Sequence, residues 1–327
     1  MKKRFYLAAF AAMALVSCNE KNADLPQVPV ENETVVLEVN VPAVMTRVKG
    51  SATGEDNVAD LQVFVFNDSG VLEAYGHAAS KSLNLTCVPG AKRVVALVNA
   101  PSLSGTATLD DLQEAKSSLA DNAAGRLVMA SKVISETLAA DKDNSMTIEV
   151  ERLAAKVVLA SVKNAMALEA DQKKDFTIKA VYLTNVAGDR LYLSDSTPSK
   201  WYDMMMYESE NTLAFLHDEP ATKLTYNTTY SVKHHFYGYP NPVTTDANAG
   251  SWTPRKTRLV VEATLGGEVC YYPVTLDKMQ RNTEYIINLT VTRLGSPDPD
   301  TPVTTGEASF TVEVKDWVDG GTINETI

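Results

Sequence analysis

Val35, Leu37, Val39 and Val41 alternate with Val36, Glu38 and Asn40, a period of two that gives a strand one wholly apolar face. Leu61–Phe66 reads as a second strand. The turn Asn67-Asp68-Ser69-Gly70 and the run Val71–Tyr75 complete a hairpin. Leu83–Val88 and the nearly continuous apolar run Arg93–Asn99 follow, the latter closed by Ala100-Pro101. One helix is expected: Thr108 caps it, Asp111 sits at the capping-box position, and Leu109, Leu112, Ala115 and Leu119 follow at helical spacing. Met146–Leu159 reads as two strands meeting near Arg152, where the domain boundary is placed. Beyond it lie strand runs at Phe176–Leu183, Leu191–Leu193, His235–Tyr239, Arg258–Leu265, Val269–Leu276 and Tyr285–Val291. The segment Gly295–Pro302, with three prolines, reads as a linker before a last strand, Phe310–Trp317. Many short strands with turn signals and no βαβ alternation predict an all-β chain of two tandem β-sandwiches with a minor helix.

The N-terminus sets the compartment. Lys2, Lys3 and Arg4 precede an apolar run, Phe5–Val16, that is too short to span a bilayer comfortably, and Ser17-Cys18 follows. A small residue before a cysteine at this place resembles the lipobox of bacterial lipoproteins, with Cys18 as the lipidated residue. Residues 19–33 are polar with Pro26 and Pro29, and read as a tether. Residues 42–57 are small, polar and glycine-punctuated, a segment that proteases reach, with Arg47 in its middle. The 327 residues are 45% hydrophobic and carry a formal charge of −11. That composition supports a real core and argues against nucleic-acid binding.

Candidate chemistry is sparse. Cys87 and Cys270 could pair in an oxidising compartment, but they sit in strand runs of different halves and read more readily as buried free thiols, without a Cys-x-x-Cys zinc pattern. His234 and His235 are adjacent, so a strand points them to opposite faces. Phosphate-loop, dinucleotide-binding and nucleophile-elbow signatures are lacking. No catalytic residues, cofactor or metal are therefore expected. Met204–Met206, beside Trp201 and Tyr202, reads as core or interface filler more readily than as a recognition patch. Asp195-Ser196-Thr197 resembles a short O-glycosylation acceptor used by some anaerobic Gram-negative bacteria.

Several motifs stand in a recognisable order: the lipobox, Thr46-Arg47 after the first strand, Leu61–Gly70, Val94–Pro101, Val150–Val157, Phe236–Pro242, Tyr272-Pro273-Val274, Arg281–Ile287 and Val312–Trp317. Together they resemble a fimbrillin of the type V pilus family over nearly the whole chain. The resemblance implies transthyretin-like, Greek-key sandwiches and an assembly mechanism. Residues 1–18 would be the lipoprotein signal, and residues 19–47 a tether and first strand removed on maturation. Residues 48–152 and 153–296 would form the two sandwiches, and 297–327 a linker with a donor strand. A trypsin-like, arginine-specific protease would cut between Arg47 and Val48, and the strand carrying Val35, Leu37, Val39 and Val41 would leave. A C-terminal segment of another subunit would replace it, offering Phe310, Val312, Val314 and Trp317, or Ile323 and Ile327 of the tail. The implied partners are further copies of the chain, related anchor and tip subunits, and the outer membrane through the lipid of the precursor. The mature form would lie in extracellular fimbriae. The terminal extension favours a stalk subunit over a tip adhesin. A surface glycan-binding lipoprotein, using Trp201, Tyr202 and Trp252 as aromatic platforms, is the competing expectation.

Overall fold

The sequence periodicities become strands in a computed structural model that describes residues 33–42, 54–123, 125–202, 213–245, 253–303, 308–316 and 322–325. Cys18, Arg47, Val48, Met204–Met206, Trp252, Trp317 and Ile327 lie outside the described residues.

The N-terminal half holds β1 (Val35–Asn40), β2 (Leu61–Asn67), β3 (Leu72–Ala78), β4 (Ser82–Cys87), β5 (Gly90–Val98), α1 (Leu109–Glu114), β6 (Lys116–Ser118), β7 (Met129–Ala130), β8 (Ile134–Leu138), β9 (Asn144–Thr147) and β10 (Glu151–Arg152). One sheet has the order β4-β1-β9. The facing sheet runs β10-β7-β5-β2-β3, with β8 beside β5. The apolar face of β1 meets Leu61, Val63, Val65, Val94, Ala96 and Val98 in the core between them. The opposite faces of β2 and β5, with Phe64, Phe66, Val95 and Leu97, enter a second, larger core shared with the C-terminal half. Burial on both faces explains why β2 and β5 read as almost unbroken apolar runs.

The helix is shorter than its spacing predicts. The Thr108–Asp111 capping box forms, but Ala115 is already extended and α1 ends at Glu114. Lys116–Ser118 instead pairs antiparallel with Asp189–Leu191, and Leu119 starts a 3-10 turn. Tertiary pairing overrides a local periodicity that both elements satisfy.

The C-terminal half holds β11 (Ala155–Asn164), α2 (Glu169–Gln172), β12 (Phe176–Thr184), β13 (Val186–Ala187), β14 (Asp189–Leu191), β15 (Trp201–Tyr202), β16 (His217–Asp218), β17 (Thr222–Leu224), β18 (Thr229–Tyr230), β19 (His234–Gly238), β20 (Arg258–Leu265), β21 (Glu268–Thr275), β22 (Thr283–Val291), β23 (Ala308–Asp316) and β24 (Thr322–Glu325). Its first sheet has the order β18-β11-β22-β23-β24 with β19 beside β11, and its second β16-β12-β20-β21 with β17 beside β12. The pair is the second sandwich, so the all-β tandem architecture is the one the pattern predicts. The strand expected at Leu191–Leu193 lies two residues earlier, at Asp189–Leu191, where it meets β6.

Thr108 accepts from the Asp111 amide at the start of α1. Thr108→Ala is expected to lower unfolding free energy by about 1 kcal/mol, read as a shift in the urea midpoint at constant slope. An unchanged midpoint would show that the strand bridge next to it, Val71 with Thr108, holds this turn instead.

Candidate assembly strands and the buried charges between the sandwiches

β1 is the middle strand of its sheet. It runs antiparallel to β4, with Leu37 opposite Leu85 and Val39 opposite Leu83, and parallel to β9, with Leu37 opposite Asn144 and Val39 opposite Met146. Leu37 and Val39 are fully buried and Val35 and Val41 nearly so, whereas Val36 on the other face is 56% exposed. Among the described residues these four side chains are a quarter of the sixteen that form the smaller core. The alternation read from sequence is thus the inside-outside pattern of the strand.

The last strands occupy a different sheet. β23 pairs antiparallel with β22 along its whole length, with Phe310 opposite Leu289, Val312 opposite Ile287 and Val314 opposite Tyr285. Val312 is buried, and Phe310 and Val314 pack half-buried on the larger core. β24 follows antiparallel on the outer side of β23, with Ile323 at the register position of Val314. β24 is the edge of the sheet and has β23 as its neighbour. Within one chain, β1 and β23 therefore belong to separate sandwiches.

A buried charge cluster joins the two halves. The Lys156 ammonium, fully buried on β11, lies 3.0 Å from the Glu55 carboxylate and 3.1 Å from that of Glu284 on β22. The Tyr237 hydroxyl donates to Glu55 Oε1 at 2.7 Å, and the Arg152 guanidinium donates to the Glu55 carbonyl at 3.0 Å. Burial lowers the Arg152 pKa, opposed by the Glu55 charge. Burial also raises that of Tyr237, reinforced by its bond to Glu55. Glu55 thus has its carboxylate tied to the C-terminal half through Lys156 and Tyr237, and its main chain to Arg152 at the end of the N-terminal half. Sequence reading placed it inside an exposed loop running to Asn57; the residue is in fact 1% exposed. An isolated Glu after a glycine carries no pattern that separates a loop acid from a buried one.

Other candidates resolve plainly. Cys87 and Cys270 are free and buried. Burial, then the Glu73 charge, pushes the Cys87 thiol up to about 11. His234 engages Asp218 at 2.7 Å and the Tyr230 hydroxyl at 2.8 Å. His235 is half-buried. Burial, then the nearby Lys156 charge, lowers its pKa. Among the described residues no group of three or more His, Cys, Asp or Glu side chains is placed to hold a metal ion. Tyr202 is buried and Trp201 half-buried in the β13–β15 ribbon, so neither is an exposed platform. A cleft of about 640 Å³ is lined by Lys132, Glu151, Arg190, Asp195, Lys278 and Arg281, among others. Four of its charges are paired: Arg281 holds Glu151 at 2.6 Å and Arg190 reaches Asp195 at 3.4 Å.

Comparison with known proteins places this architecture. Residues 34–187, from β1 through β13, match the family model of the major fimbrial subunit protein FimA. The matched segment belongs to the FimA family. The match takes in the whole N-terminal sandwich and the first strands of the second. Across nearly the full length, the chain is 24% identical to the major fimbrium subunit FimA type-2 of Porphyromonas gingivalis, covering 93% of this chain and 94% of that protein. Among solved structures, a fimbrilin (FimA) from Porphyromonas gingivalis W83 superimposes with a TM-score of 0.64 at 19% identity, covering 89% of this chain and 99% of that one. The tip fimbrial protein Mfa3 of Porphyromonas gingivalis, truncated at its C-terminus, gives a TM-score of 0.53 at 16% identity, covering 85% and 99%. The fimbrillin resemblance carried by the ordered motifs holds.

Lys156→Met leaves the Glu55 and Glu284 carboxylates buried without their shared cation. The expected loss is about 3–5 kcal/mol of stability, measured by urea unfolding. The double variant Glu55→Gln with Glu284→Gln in the Met background is expected to recover part of it. A single variant as stable as the parent would mean that these carboxylates take up protons or water at no cost.

Proposed function

We propose that the chain is a stalk subunit of a cell-surface fimbria that assembles by strand exchange after proteolysis. The observation that carries this reading is the position of β1. It is the middle strand of its sheet, supplies a quarter of the smaller core, and leads directly into the segment that bears Arg47.

In this reading the precursor reaches the outer membrane through lipid on Cys18. A trypsin-like protease that recognises arginine cuts between Arg47 and Val48 and separates β1 and the lipid from the body. The departure exposes β4 and β9 on their inner edges and uncovers the apolar floor formed by Leu61, Val63, Val65, Val94, Ala96 and Val98. Four buried aliphatic side chains contribute on the order of 6–10 kcal/mol, so the groove is a strong acceptor for an equivalent strand. Proteolysis removes the competitor and makes the exchange one-way.

The C-terminal segment of a second copy supplies the strand. The tail that contains Ile323 and Ile327 leaves at the lower cost, because β24 borders β23 at the edge of its sheet. Lifting β23 with Phe310, Val312 and Val314 would open the C-terminal core. Whichever part inserts must keep the two-residue period of β1, since a slip by one position turns its polar face inward. The same chain receives at one sandwich and donates from the other, which is what a stalk subunit requires. Related anchor and tip subunits are the partners at the ends of such a fibre. The role is structural and adhesive, not enzymatic.

Trypsin treatment of the purified precursor, followed by mass and by denaturing electrophoresis without heating, tests this directly. A single cut after Arg47 and an SDS-resistant ladder are expected, and Arg47→Ala should abolish both. A clean cut that leaves a stable monomer would overturn the assembly mechanism.

A further inference from the structure

The segment Gly295–Pro302, which reads as a linker, is fastened to the second sandwich. Ser296 exchanges both backbone hydrogen bonds with Tyr271 on β21, at 2.9 and 2.8 Å. A Cβ at Gly295 would meet the Tyr271 carbonyl oxygen at 2.4 Å, so the chain lies closer there than any other residue permits. The Asp298 carboxylate accepts from the amides of Asp300 and Thr301 and from the Thr301 hydroxyl, which fixes the turn.

Asp300 is the centre of this attachment. Its carboxylate accepts from Arg255 at 2.8 Å, from Arg258 at 3.0 Å and from the side-chain amide of Asn185 at 3.1 Å. Both arginines are buried. The cradle has hydrogen bonds of its own that do not involve Asp300: buried Asn241 donates to the carbonyls of Asn185 and Arg255, and Thr257 donates to that of Asn185. Charge-assisted bonds to preorganised partners are the strong kind. Asp300 lies eight residues before β23 begins at Ala308.

We infer that Asp300 is a latch that keeps the chain docked on its own sandwich up to this point, so that only residues beyond it move when the C-terminal segment goes to a second copy. The inference rests on the strand-exchange reading above. Asp300 is a positioning residue: it acts by fixing where the donated segment starts.

Hydrogen exchange on the full-length precursor tests the latch without requiring assembly. Asp300→Ala should speed exchange of the Tyr271 and Ser296 amides and of residues 308–316 by about tenfold or more, with the N-terminal sandwich unchanged. If that variant fails to fold, Asp300→Asn and Arg255→Ala, singly and together, supply the test. The two should be strongly non-additive in protecting the same amides. In trypsin-treated wild-type ladders, the Tyr271 and Ser296 amides should stay as protected as in the precursor. Unaltered exchange in the variants, or loss of protection at Tyr271 and Ser296 on assembly, would overturn the latch. If trypsin-cut wild type remains a monomer, the strand-exchange reading fails, while exchange in the precursor variants still decides whether Asp300 fastens the segment.

Discussion

The position of Lys156 constrains everything around it. An ammonium group with no access to water needs its charge answered, and Glu55 from one half and Glu284 from the other do so. Tyr237 and Arg152 then satisfy what remains of Glu55. A charge network of this kind is satisfied in few arrangements, so it fixes the junction between the sandwiches more sharply than apolar contact alone.

The two cores divide the work. Losing β1 strips one face of β2 and β5, but their other faces stay packed on the larger core through Phe64, Phe66, Val95 and Leu97. A sheet buried on one side only would fray when its cover left. In the proposed assembly the floor of the groove would be held from behind, the condition for an empty acceptor to survive until it is filled.

Much of this was legible from the residues. The alternation of Val35, Leu37, Val39 and Val41, the Thr108–Asp111 cap and the long apolar strands all follow from local periodicity and hydrogen-bonding chemistry, and all are present. What was not legible depends on partners distant in sequence. The helix stops at Glu114 because Lys116–Ser118 finds Asp189–Leu191. Glu55 is buried because Lys156 lies a hundred residues on. The proline-rich stretch is docked because Arg255 and Arg258 meet Asp300. In each case the local composition is compatible with two environments, and a contact across the fold selects one.

The direction of β1 has a consequence for shape on a larger scale. Its neighbours differ: β4 runs against it and β9 runs with it, and antiparallel and parallel ladders have different hydrogen-bond spacings. A replacement that satisfies both neighbours must run the same way as β1. In the proposed assembly the acceptor sandwich and the donating end are different surfaces of the molecule, so their contact would be heterologous and need not close on itself. A chain of such contacts would have a sense of direction, with one end that can only accept and another that can only give, and the two ends of the filament would be chemically distinct from its first joint onward.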